Sequence, residues 1–164
     1  MSIFELISKY AWLMFMIVTT MNAVIFRSRS RKHIESNPEL AEGYGSLIRG
    51  FMIWGNIPWI VMGVGLTAGG VPSVWHYFRP MDGNPHVLAW FASIFFIWLM
   101  GTYWLFLQDG AEKLAKHPGF IKASFVGEIS SANAIKFIWV LCLLGGVFGV
   151  VMMWTMDAPL PPLH

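Results

Sequence analysis

Residues 137–156 read FIWVLCLLGGVFGVVMMWTM. These twenty consecutive positions hold no Asp, Glu, Lys, Arg or His. At ~1.5 Å per helical residue the stretch reaches about 30 Å, the thickness of a bilayer's hydrocarbon layer. A core helix of a soluble protein would carry a polar stripe along one side, and this one carries none. Lipid is the solvent that suits it.

Three further stretches of the same kind lie upstream, at residues 10–26, 51–68 and 87–107. The first is short, but Ile3, Phe4, Leu6 and Ile7 extend it outward. None has an Asp, Glu, Lys, Arg or His in its interior, and none alternates apolar with polar residues as a membrane β-strand does. The chain has 164 residues, 56% of them hydrophobic and 12% charged, against about a quarter charged in a soluble domain. The sequence therefore predicts an all-α membrane protein: a single domain over residues 1–164, built as an up-and-down bundle of four transmembrane helices. Residues 1–9 lack a basic leader region, and the first apolar run ends in Arg27-Ser28-Arg29 with no small-residue cleavage site. That run reads as a retained helix.

Charge distribution predicts the orientation. Arg27, Arg29, Arg31, Lys32 and Arg49 fall in the first connection, and Lys113, Lys116, Lys122 and Lys136 in the third. These are nine of the eleven Lys and Arg; only Lys9 and Arg79 fall on the other side. Basic loops stay cytoplasmic, so both termini are expected on the non-cytoplasmic face. Tyr10, Trp12, Trp75, Tyr77, Trp90 and Trp154 gather near that face as an interfacial belt. Compactness and the lack of a targeting peptide suggest a bacterial inner membrane. A net charge of +2 gives no electrostatic case for nucleic acid.

Inside the predicted spans, polar groups form a layer. Asn22, Asn56, Thr102 and Cys142 all fall some ~6–9 Å below the cytoplasmic boundary at the helical rise. An amide facing lipid is unsatisfied, so Asn22 and Asn56 are expected to face inward and to meet, as glue between helices or as the wall of a solute or quinone site. Pro58 removes a helix hydrogen bond beside Gly55 and Asn56 and predicts a kink in the second span. Gly145 and Gly149 form a G-x-x-x-G pair with Gly146 beside them. Ala89 with Ser93 and Gly63 with Gly65 supply small residues in the third and second spans. Such residues let backbones approach, which predicts a crowded neighbour for the fourth span within the chain or in another subunit.

Outside the spans, His76, Met81, Asp82 and His86 fall within eleven residues of the outer loop. Imidazole and thioether suit copper, and imidazole with carboxylate suits zinc; Met152, Met153, Met156, Asp157 and His164 share that side. No spacing holds His76 and His86 on one centre, and an interfacial belt needs the same residue types. A b-type haem needs axial His on facing helices, whereas His33 and His117 lie at one edge and His76 and His86 at the other. The pairs Lys32-His33 and Lys116-His117 echo each other, as a duplicated hairpin would, although the spans do not align. Residues 109–119 and 27–32 read as charged surface along the lipid head groups.

Phosphate-loop, nucleophile-elbow, zinc-protease and Cys-x-x-Cys patterns are absent, and no carboxylate pair lies within the apolar runs. The expectation is a non-enzymatic accessory or structural subunit without a cofactor, embedded in lipid beside other membrane subunits or copies of itself. The alternatives are a copper- or haem-binding redox protein using the outer His/Met cluster, and an oligomeric small-solute transporter or channel.

Overall fold

A computed structural model describes residues 3–123 and 127–155 of the chain. Met156, the last residue of the predicted fourth span, lies outside the described residues, as do Asp157 and His164. Four helices are long and apolar enough to cross a membrane: α1 (Ile3–Ser36), α2 (Ala41–Thr67), α3 (Pro85–Leu107) and α5 (Ala132–Thr155). A six-residue α4 (Gly110–Ala115) lies between the last two. The chain is a multi-pass membrane protein by this measure.

The apolar runs mark the membrane part of each helix but not its length. The 34 residues of α1 span about 51 Å, well beyond the hydrocarbon layer. Nothing in residues 27–36 breaks a helix, so backbone hydrogen bonding simply continues past Arg27 into water. The break comes at Asn37, whose side-chain oxygen accepts from the Glu39 amide at 3.3 Å while Pro38 opens a 3-10 turn. The same chemistry starts α3: Asn84 Oδ1 accepts from the His86 amide at 2.9 Å, with Pro85 next in line. Asp109, the one non-glycine residue with positive φ among the described residues, makes the corner into α4.

Side-chain contacts show how the helices pair. Along α1 and α2, Trp12 meets Gly63, Phe15 stacks on Trp59 at 4.3 Å, Thr19 meets Gly55, and Phe26 meets Phe51 at 5.1 Å. Residue numbers climb on one helix as they fall on the other, so the two run antiparallel. Helices α2 and α3 do likewise through Trp54 with Phe96 and Gly65 with His86. So do α3 and α5, through Gly101 with Trp139, Trp98 with Gly146, and Phe91 with Trp154. The most extensive packing is α1 on α2, then α2 on α3; α5 is held more by α4 than by α3, which it meets at a few ring contacts.

A recurring device joins the elements: an indole ring laid on a glycine. Trp12 covers Gly63, Trp98 covers Gly146, Trp139 covers Gly101 and Trp104 covers Gly110. In each case a Cβ on the glycine would come within 2.8 Å of the ring. Lipid supplies no hydrophobic force between helices, so a flat ring against bare backbone gains its attraction from dispersion contact.

Most buried apolar residues fall into two clusters, one at each end of the helices. Ala11, Met62, Val71, Val74, Tyr77, Val87, Trp90 and Phe91 form the first, where the loop between α2 and α3 folds over the helix ends. Leu47, Leu105, Ala111, Leu114, Ile129 and Ile135 form the second. Helix α4 belongs to this second cluster: Gly110, Ala111 and Leu114 are buried against α3 and α5. The lipid-facing surface expected over residues 109–119 is thus corrected for Leu114, because the corner at Asp109 turns the apolar side of α4 onto the protein. A two-residue antiparallel pair, β1 (Lys122–Ala123) with β2 (Gly127–Glu128), follows; nothing in the sequence pattern announces it.

Candidate functional site

The polar layer divides on inspection. Thr102 on α3 accepts a hydrogen bond from Trp139 Nε1 of α5 at 2.9 Å and donates to the Trp98 carbonyl at 2.7 Å. It binds two helices together at the point where Trp98 and Trp139 exchange places over Gly146 and Gly101. Asn56 is buried, yet its Nδ2 donates at 2.8 Å to the Met52 carbonyl of its own helix, and its Oδ1 has no partner. Asn22 is partly exposed on α1, and no hydrogen bond joins it to Asn56 among the described residues. Pro58 sits inside α2, which remains one helix through it. Cys142 is exposed on α5.

A prediction follows for Asn56. Since its only hydrogen bond is local and one buried lone-pair atom is unmatched, Asn56→Leu removes a desolvation cost of about 1–3 kcal/mol without breaking a link between helices. The melting temperature in detergent should hold or rise. A clear fall would mean that the amide has a partner on another helix.

At the end where α2 passes into α3, the four candidate metal residues do not share one centre. His76 Nδ1 lies 3.0 Å from Ser73 Oγ, and Asp82 pairs with Arg79 at 3.4 Å. His86 packs against the backbone at Gly65 and Gly69, and Met81 points outward with 70% of its surface exposed. No group of three His, Cys, Asp or Glu able to hold a metal ion occurs among the described residues. What the loop does build is a niche for Tyr77. Its ring is buried edge-on to Trp90 at 5.5 Å, and its hydroxyl donates to the Met62 carbonyl at 3.1 Å. Burial pushes its phenol up to about 12. Trp75 Nε1, donating to Ser8 Oγ at 2.8 Å, ties the same loop to the start of α1.

At the opposite end, the echoed histidines come together. His33 and His117 both abut Tyr44, with ring centroids 6.4 and 4.8 Å away. Tyr44 donates to the Pro118 carbonyl at 2.6 Å, and His33 Nε2 lies 3.9 Å from Glu128 Oε1. His117 Nδ1 lies 2.6 Å from the Lys113 carbonyl, so this nitrogen carries the proton and Nε2 turns toward Gly43. The echo therefore marks a junction between the first hairpin and the later connection, which spacing in the sequence alone could not show.

Nearby, Lys136 Nζ donates to Glu112 Oε1 at 2.8 Å, and this hydrogen bond holds the Glu112 carboxyl below its ordinary value. A lowered carboxyl stabilises the fold above the ordinary glutamate range of about 4.3, and that contribution is lost as pH falls through the lowered value. Acid unfolding of the wild type in detergent should accordingly have a component below that range, and Lys136→Gln should reduce it. An unchanged acid limb in the variant would deny the pair any role.

The most open feature is on α5. Only Ile135 of this helix is buried, and Leu141, Leu144, Phe148 and Val151 are exposed. Gly146 is taken by Trp98, whereas a Cβ on Gly145 or Gly149 would meet nothing within 4 Å. Cys142, Gly145 and Gly149 recur at steps of three and four residues, so they share one side of the helix. That side presents bare backbone at two positions one turn apart.

Comparison of the chain with protein-family models, with curated proteins and with solved structures finds no match. The site must be read from its own chemistry.

Proposed function

We propose that this chain is a small accessory or structural subunit of a bacterial inner-membrane complex, non-catalytic, which holds a partner helix against the Gly145–Gly149 side of α5. The observation that carries this reading is the contrast between adjacent glycines: Gly146 is filled from within the chain, and Gly145 and Gly149 are open. Lipid tails can cover any apolar helix, but two bare glycines one turn apart offer close backbone approach that flexible tails exploit poorly. The antiparallel helix pairs support an up-and-down order with both termini on one side, and the clustering of Lys and Arg supports a cytoplasmic location for the opposite side.

Cys142 provides the test, because it lies on the proposed contact side and is the only cysteine of the chain. Oxidative crosslinking in native membranes should trap α5 with its neighbour: a band at twice the chain's mass marks a second copy, and any other defined band marks a different subunit. Absence of any crosslinked band, together with solitary extraction in mild detergent, would end the proposal. Orientation is checked separately by reporters inserted at Glu42 and at Gly83, expected on the cytoplasmic and periplasmic sides respectively.

A further inference from the structure

Where α1 and α2 leave the apolar zone, a groove of about 350 Å³ opens between them. Arg27, Ser30 and Ile34 line it from α1, and Ala41, Tyr44, Gly45, Ile48 and Arg49 from α2. Its volume falls at the lower end of the ~300–1,000 Å³ typical of small-ligand sites. Both arginines are exposed, and neither has a carboxylate partner among the described residues. The acids of the same hairpin, Glu35, Glu39 and Glu42, lie exposed toward its turn. The polar groups of the wall are already engaged: Ser30 donates to the Arg27 carbonyl at 2.9 Å, and Tyr44 to the Pro118 carbonyl. Two arginines without a carboxylate partner among the described residues thus line one groove. Just membrane-ward, Phe26 and Phe51 meet edge-on at 5.1 Å, so the groove stands at the border between head groups and hydrocarbon.

We propose that this groove binds the phosphate of an anionic phospholipid between Arg27 and Arg49. A guanidinium fork matches phosphate oxygens in pairs, which a lysine cannot do, and both cations flanking this groove are arginines. Ile48 and the Phe26–Phe51 edge pair, beside the arginines on the membrane side, offer the glycerol region an apolar wall, and exposed Val24, Ile25 and Ile53 of the same helices offer surface to the acyl chains. Anionic lipid is concentrated in the cytoplasmic leaflet, the side to which the basic connections are assigned. The site requires only that α1 and α2 cross a bilayer. It is independent of the α5 contact, and failure of the Cys142 crosslink leaves it standing.

The test uses full-length protein in phosphatidylcholine nanodiscs doped with phosphatidylglycerol, with lipids retained after release counted by native mass spectrometry. Wild type should retain phosphatidylglycerol over phosphatidylcholine by at least roughly tenfold, the worth of one charge-assisted hydrogen bond. Arg27→Gln/Arg49→Gln should lose that preference. Arg29→Gln/Arg31→Gln, with the same loss of charge outside the groove, should keep it. Should the first pair not survive extraction, Arg27→Lys/Arg49→Lys replaces it and should bind more weakly than wild type, having charge without the fork. Equal loss in both Gln pairs would mean a diffuse field and overturn the proposal, as would no preference in wild type. Displacement of phosphatidylglycerol by inorganic phosphate at comparable concentration would make this a soluble-phosphate site and overturn it equally.

Discussion

Gly65→Ala is expected to destabilise the protein by about 1–3 kcal/mol, and by close to nothing in a Tyr77→Phe background. Alanine normally gains about 1 kcal/mol over glycine inside a helix, so a loss here requires a specific obstruction. The obstruction is the Tyr77 hydroxyl. A Cβ on Gly65 would overlap it while lying 3.1 Å from the His86 Cβ and 3.4 Å from Tyr77 Cζ, the last an ordinary contact. To make room the phenol must leave its niche, giving up the bond to the Met62 carbonyl and disturbing its packing on Trp90. Removing the hydroxyl beforehand removes the overlapping atom but leaves the ring. The two substitutions should thus be strongly non-additive, with thermal unfolding in detergent as the measurement. Equal costs of Gly65→Ala in both backgrounds would show that the clash is not with Tyr77.

The second large effect separates neighbouring glycines of α5. Gly146→Leu places a side chain where Trp98 lies 2.5 Å from the would-be Cβ, and should cost several kcal/mol by prising α3 from α5. Gly145→Leu combined with Gly149→Leu adds more bulk, yet both positions are open, so the isolated chain should be as stable as wild type or better. The partner contact should behave in the opposite way. The Gly145/Gly149 variant fills the open side and should abolish the Cys142 crosslink, while its melting temperature holds or rises. A Gly145/Gly149 variant that both melts early and keeps its crosslink would reverse the assignment of the two sides.

Much of this architecture is legible in the residues themselves. The four uncharged stretches mark the membrane-length helices, because a charged side chain in hydrocarbon is costly and a helix is the only way a single segment satisfies its backbone there. Asn37 and Asn84, each followed by a proline, cap the turns they precede by local hydrogen bonding. The helix ends are less legible: α1 continues past Arg27 since charge ends the membrane zone but does not end a helix. The candidate site shows the same split. Small residues in α5 are visible as a pattern, but their division into filled Gly146 and open Gly145 and Gly149 depends on where Trp98 arrives from another helix. The polar layer was expected to gather Asn22 and Asn56. Instead Asn56 bonds to its own helix and Thr102 makes the bond between helices, because rotation about each helix axis is set by ring packing and not by depth.

By itself, then, the sequence determined the number of long apolar helices and their approximate positions, consequences of interactions within a few residues of one another. Tertiary structure alone decided which indole covers which glycine, how His33 and His117 meet at Tyr44, how α4 turns inward, and where Arg27 and Arg49 face a common groove. Those are relations between residues far apart in the chain. They depend on the rotation and register of helices that many alternative packings would satisfy about equally by hydropathy, until ring shape and bare backbone select one.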